Sequence, residues 1–299
     1  MVKYNGTFVF ERRCGMVFRA KRTSENIAIA LFSGVIIYFV HSAVSEFSFP
    51  SETVSALVSL VFSLFRLAVP AAIFIYAQKH AGFEKIKLEK APDSSVKYNV
   101  MLAFVGFTVV FTFGILYSAA FPNAGVSYTY TDPLSASITV CSCAVVPAVF
   151  EEFLYRKLFC RELTVHGSAF AVISSSLLFA LMHFSSYTFP YAFICGLVIG
   201  FVYIKTGSVR YTVAIHFANN FLSYLLSVIG AGMDHTAYFK MLMAIVIVLC
   251  ALALAAIYFI LPNNYEKFSS KEYANVSSST FLTFPMVVLI ICALILNFI

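Results

Sequence analysis

The side chains able to do chemistry in this sequence lie inside its apolar runs. They are Arg66, Glu151, Glu152, Arg156, His183 and His216, with Asn219 and Asn220 beside the last. A charge at the centre of a bilayer costs ~2.5–3.5 kcal/mol on insertion scales, so each of these residues needs a reason to be there. Glu152 and Arg156 are four residues apart, share a helical face and can pair. Glu151 precedes Glu152 by one residue and points about 100° away from it, which leaves one carboxylate structural and the other free for chemistry. Pro147 leaves the Cys143 carbonyl without its helical donor and can kink the helix at this point. Phe179 and His183 share a face, and Ser174, Ser175 and Ser176 just before them are small enough to admit another helix. His216 and Asn220 are again four apart. Together these residues supply a carboxylate base, two imidazoles and an amide, a set that can activate water and stabilise an oxyanion.

Each element also has a plainer explanation. Glu-Glu-x-x-x-Arg at a helix end is often interfacial charge. A lone histidine in a span is usually a hydrogen-bonded packing residue, and His-x-x-x-Asn is no different. Arg66 can snorkel or pair with a distant carboxylate, and the sequence gives it no role. The plainer explanations weaken because three such elements occur on separate spans of an otherwise apolar chain. Neither the serines 174–176 nor Cys141 and Cys143 have an evident base on the same face, so no serine or cysteine nucleophile is indicated.

The elements that must position these groups are membrane spans. Of 299 residues, 61% are hydrophobic and 11% charged, and the mean hydropathy is +0.88. A soluble domain is about half apolar and about a quarter charged, so a soluble enzyme and a disordered chain are both excluded. The net charge of +6 is no nucleic-acid signal, because the basic residues sit in short clusters between apolar runs. The cysteines number seven with no Cys-x-x-Cys, which argues against a disulfide framework or zinc ribbon and predicts buried thiols.

Apolar runs at 27–43, 54–77, 100–121, 136–155, 168–184, 189–204, 211–230, 241–261 and 281–299 predict an all-α fold. The expected architecture is a polytopic transmembrane helix bundle of eight to nine spans with a cytoplasmic N-terminus. The pair 168–184 and 189–204 is separated only by Ser185 to Thr188, so a single re-entrant feature is the alternative to two spans. With the N-terminus inside, 18 of the 20 lysines and arginines fall at or near inner loops. These include Lys3, Arg12 and Arg13 in the leader, Lys85, Lys87 and Lys90 in the loop 79–98, and Lys267 and Lys271 further on. The first run reads as an uncleaved anchor behind a polar leader. Three regions are expected. Residues 1–134 form the leader and three spans, 135–230 the core carrying the motifs, and 231–299 two C-terminal spans. Gly196-x-x-x-Gly200 marks a close-packing surface. A helix ending near Arg156 would leave Glu151 shallow while His183 lies about 22 Å from Ser168. The fourth helix is therefore expected to run on to about Leu163.

The ordered set Glu151 to Arg156, Phe179 to His183, and His216 to Asn220 resembles the type II CAAX prenyl endopeptidase family. This is the wider group of CAAX proteases, bacteriocin-processing enzymes and abortive-infection-like membrane proteases. The segment Lys205-Thr206-Gly207-Ser208 is similar to the family's short turn, and the resemblance covers residues 135–225. It implies an intramembrane endopeptidase in which Glu151 activates the attacking water and His183 assists. His216 and Asn220 would hold the oxyanion, and Glu152, Arg156 and Phe179 would support the site. No cofactor is favoured. If a divalent metal such as zinc is bound, its ligands would be Glu151, His183 and His216, although no His-Glu-x-x-His occurs and these ligands sit on three helices.

Membrane lipid and a membrane-anchored peptide or protein are the expected partners, with no nucleic acid, and a bacterial plasma membrane is the expected location. Two other classes compete with the protease. A proton-coupled transporter also places Glu, His and Arg in spans, but the sequence has no matching halves with broken helices. A non-catalytic membrane immunity or scaffold protein of the same fold would not need every motif side chain. Convergence of Glu151, His183, His216 and Asn220 on one water would favour hydrolysis, and a string of them along a pathway would favour transport.

Overall fold

The computed structural model describes residues 4–84, 86, 96–121, 132–260 and 276–298, with side chains described for these except in 4–13 and 259–260. Among the described residues every regular element is helical. The helices are α1 (Tyr4–Ser45), α2 (Glu52–His80), α3 (Val96–Ala120), α4 (Pro133–His166), α5 (Ser168–Leu181), α6 (Thr188–Thr206), α7 (Val209–Gly230), α8 (His235–Ile260) and α9 (Phe284–Phe298). The chain is an integral, multi-pass membrane protein: α1 to α4 and α6 to α8 are long and apolar enough to cross a bilayer. The other two helices are shorter, α5 at 14 residues and α9 at 15. Each apolar run therefore becomes a helix, but α5 and α9 fall below the ~20 residues that a full span takes.

Several expectations need correction. The expected polar leader is helical from Tyr4, where α1 begins and runs unbroken into the first apolar run. The seven cysteines are unpaired, but only Cys160 and Cys195 are buried, and Cys14 and Cys141 are exposed. An apolar protein surface in a bilayer accepts a thiol as readily as a core does, so burial was the wrong inference from an apolar run. The inner-loop lysines Lys85, Lys87, Lys90, Lys267 and Lys271 lie outside the described residues, as does Lys3.

α4 does most to place the site. Asp132 caps it, accepting from Ser135 N–H at 2.9 Å and Ser135 Oγ–H at 2.6 Å, with Pro133 in the first turn. The helix then runs 34 residues, past Arg156 and Leu163, to a closing 3-10 turn at Thr164–His166. Two stretches widen to i→i+5 π geometry, Cys141–Val145 and Glu152–Cys160. Such widenings recur at functional sites. Gly167, at φ 103, turns the chain back into α5. Glu151 stands 15 residues before His166 and His183 stands 15 after Ser168. At 1.5 Å per residue both lie about 22 Å from the turn, so the helical hairpin sets them level.

Packing fixes the lateral positions. One apolar cluster joins α1, α2, α4 and α5 and includes the fully buried Ile27, Leu31, Phe159 and Leu178. Phe74 of α2 meets Phe159 of α4 edge-on at 5.0 Å. A second cluster joins α3 with α6 and α7 through Val110, Val202 and Ile215. The predicted glycine surface closes α6 on α5: a Cβ on Gly196 would lie 2.9 Å from Ser176 Cβ. At Gly200 a Cβ would lie 3.1 Å from Val172 and 3.6 Å from Arg156 Nη1. The small residues thus bring α5 and α6 together beside the arginine of the first motif.

Candidate active site

The structure holds Glu152 and Arg156 entirely out of solvent, with Arg156 Nε 3.3 Å from Glu152 Oε2. Arg156 also donates from Nη1 to Ser175 Oγ at 3.2 Å and lies over the Phe179 ring at 5.6 Å. This matches the pairing expected from spacing, and it adds a third member. His216 Nδ1 donates to Glu152 Oε1 at 2.9 Å. An ionised carboxylate can only accept, so the hydrogen sits on Nδ1. The other ring nitrogen, Nε2, is left 3.7 Å from Glu151 Oε2.

Glu151 is buried too, but its neighbours stand further off. Besides His216 Nε2, it has Arg66 Nη2 of α2 at 3.9 Å, beyond hydrogen-bond range. Glu151, Arg66, Tyr155, Phe179 and His183 line one cavity of about 20 Å³. That is room for one water. His183 Nδ1 donates to the Phe179 carbonyl at 2.9 Å, which fixes the tautomer and leaves Nε2 as an acceptor. Phe179 is the hub of the site. Its ring meets Tyr155 at 5.3 Å, His183 at 4.8 Å and His216 at 6.0 Å, each near perpendicular. Edge-to-face contacts of this kind fix ring planes as well as positions.

Of the four residues expected to act on substrate, Glu151 and His183 come together in the cavity, and His216 stands beside Glu151. Asn220 is not brought to the cavity. Its Nδ2 donates to the Cys143 carbonyl at 3.0 Å, the carbonyl that Pro147 cannot reach with an N–H. Asn219 donates to Asn220 Oδ1 at 3.1 Å and lies within 2.9 Å of the Tyr191 hydroxyl. The amide thus braces the bent helix that carries both glutamates.

Three contributors were missed or left without a role. Arg66 comes from α2, far from the motifs in sequence. Tyr155, one turn beyond Glu151, lines the cavity and packs on Phe179, a role that its spacing alone does not mark. Asn297, in α9, is 3% exposed and holds the turn that bears His183. Its Nδ2 donates to the Leu181 carbonyl at 2.7 Å and its Oδ1 accepts from Ser185 N–H at 2.8 Å, on either side of His183. The last carbonyls of a helix lack partners, and Asn297 and the His183 ring supply them here. Phe184 is held in the left-handed region at φ 50, a strain of order 1–3 kcal/mol that this bracing maintains. An isolated polar residue in an apolar run was the available signal, but nothing marked its partner.

The residues that would hold a divalent metal, were one bound, are Glu151, His183 and His216. Among the described residues no group of three or more histidine, cysteine or carboxylate side chains could hold one. His216 commits Nδ1 to Glu152 and keeps Nε2 beside Glu151.

Fold and site define a multi-pass membrane protein with a buried cluster of carboxylates and imidazoles facing a water-sized cavity. Residues 133–222 match the family model described as type II CAAX prenyl endopeptidase, Rce1-like. The matched stretch runs from α4 to α7 and holds all three motifs. The match supports an intramembrane protease. No curated protein and no solved structure matches the chain.

Proposed function

We propose that this protein is an intramembrane endopeptidase that hydrolyses membrane-anchored peptides, prenylated CAAX-type peptides among them, with water activated by Glu151. The observation that carries the reading is the convergence of Glu151 and His183, from separate helices, on a cavity the size of one water. A transporter would string such groups between two vestibules rather than gather them at one point. In the proposed reaction, the Glu151 carboxylate takes a proton from the water as its oxygen attacks the scissile carbonyl carbon. His183 Nε2, an acceptor by its tautomer, orients that water. His216 is held by Glu152, itself paired with Arg156, and stands beside Glu151. Asn220 acts through the helix it braces. Glu151 then returns the proton to the leaving amine, and the carbon–nitrogen bond breaks.

The test is cleavage by the full-length protein in liposomes, against a panel of prenylated and unmodified membrane-anchored peptides. Glu151→Gln keeps the shape and is expected to lower turnover 10²–10⁴-fold, the usual contribution of a positioned base. The same assay with a chelator is expected to leave the wild-type rate unchanged. Cleavage by Glu151→Gln at the wild-type rate would overturn the reading, and chelator sensitivity would replace the metal-free mechanism.

A further inference from the structure

We infer that Arg66 of α2 is a catalytic residue whose guanidinium stabilises the oxyanion formed at the scissile carbonyl. The inference rests on the hydrolytic reading above and deepens it. An arginine within a span is costly unless something meets its charge. Arg66 is about a third exposed and meets only a carboxylate 3.9 Å away, with no hydrogen-bond partner among the described residues. Its donors are therefore not consumed by the fold. Arg156 differs in exposure and pairing: it is wholly buried, its charge met by Glu152 at 3.3 Å and one N–H by Ser175.

The second support is the cavity. Arg66, Glu151 and His183 face the same space, and Glu151 and the Nε2 of His183 both offer acceptors to it. A water held by those acceptors needs a carbonyl carbon beside it. The carbonyl oxygen then needs hydrogen-bond donors about 3 Å away. Asn220, the amide that sequence spacing offers for this purpose, donates to the Cys143 carbonyl instead. The guanidinium presents N–H groups in a planar fork and stays charged throughout. As the water oxygen bonds to carbon, its proton passes to Glu151 and the carbonyl π pair moves onto oxygen, where Arg66 meets the new charge. When the carbonyl reforms, that pair returns, the carbon–nitrogen bond breaks, and the amine leaves with the proton from Glu151. α2 lies outside the matched stretch 133–222, so the proposed site extends beyond it.

The experiment uses the full-length protein in liposomes and the peptide of the panel that the wild type cleaves fastest. Arg66→Met, Arg66→Lys and Glu151→Gln are compared over pH, and binding of the matching peptide aldehyde is measured in parallel. Arg66→Met is expected to lose 10²–10³ in kcat, the range seen when one oxyanion donor is removed, with KM within about threefold. It should bind the aldehyde, whose hydrate mimics the tetrahedral intermediate, more weakly by a similar factor. Arg66→Lys keeps the charge without the fork and should lose roughly tenfold, which keeps the test decisive if Arg66→Met does not fold. An unchanged kcat plateau with a displaced acid limb would overturn the inference, because Arg66 would then serve only to keep Glu151 ionised. A kcat within threefold of wild type in both arginine variants, with Glu151→Gln inactive, would overturn it and leave the hydrolytic reading standing. Activity in Glu151→Gln, or no cleavage of any peptide by the wild type, would overturn both.

Discussion

The two glutamates adjoin in sequence yet belong to different kinds of environment. On the α7 side, Glu152 is closed in by Arg156 and His216 at 3.3 and 2.9 Å, with no surface exposed. On the α2 side, Glu151 has its charged neighbours at 3.7 and 3.9 Å and opens onto a cavity. In the proposed reaction, that difference separates the carboxylate that is frame from the one that is reagent. A group held by short bonds on every side is expensive to disturb and poor at exchanging protons. A group with loosely held neighbours has room for water and for a change of charge.

That contrast can be broken most forcefully at Arg156. Arg156→Met leaves Glu152 buried without its partner, and removing one member of such a pair typically costs 3–5 kcal/mol. Thermal melting of the purified protein should show that loss together with inactivity. Arg66→Met, across the cavity, should lower turnover while moving the melting temperature little. Equal melting temperatures for the two arginine variants would erase the distinction between frame and reagent.

A smaller effect is expected at Asn297. Asn297→Ala leaves the Ser185 N–H without its partner and the Leu181 carbonyl with only the long 3.4 Å bond from Phe184 N–H, at about 1–3 kcal/mol for a buried unsatisfied group. The turn that orients His183 should loosen. Amide exchange of 181–185 should quicken and kcat should fall more than substrate affinity does. Unaltered exchange there would show that the turn holds itself.

The smallest effect concerns Asp132, which caps α4 just before the candidate span that begins at Pro133. Ser135 hydrogen bonds hold the Asp132 carboxyl below the usual carboxylate range. A depressed value in the fold means that its stabilisation is complete above the unfolded value and fades as pH falls through the folded one. Acidification should therefore fray the first turn of α4 without touching the buried pair. Amide exchange at 133–136 followed down the pH scale checks this, and Asp132→Asn, a cap that does not titrate, should flatten the dependence.

Much of this was legible in the residues. Nine apolar runs became nine helices among the described residues, and the spacing of Glu152 and Arg156 foretold their pairing. The length of α4 followed from a depth argument about Glu151 and His183. Pro147 cannot offer the Cys143 carbonyl a helical N–H, which the sequence shows, but not that Asn220 would donate to that carbonyl. The environments of the long-range partners were not legible. Nothing in a one-dimensional pattern says that Arg66 faces Glu151 or that Asn297 grips the ends of α5. Such contacts join helices 85 and 112 residues apart, and helix periodicity speaks only to neighbours three and four apart. The π stretches were invisible for the same reason, since they arise from how α4 is held.

The brevity of α5 has a consequence for the membrane itself. Fourteen residues rise about 21 Å against a hydrocarbon layer of about 30 Å. Non-helical backbone at such depth is tolerated only under a cover of protein or beside a water-filled space. Asn297 covers one flank of the tip, and Tyr117 of α3 donates to the Tyr187 carbonyl at 2.7 Å on the other. Acyl-chain length then sets how much lipid lies beyond His183, so a thinner bilayer brings the far water closer to the tip and a thicker one buries it. Lipid thickness becomes a property of the proposed reaction centre, set by the host membrane rather than by the chain.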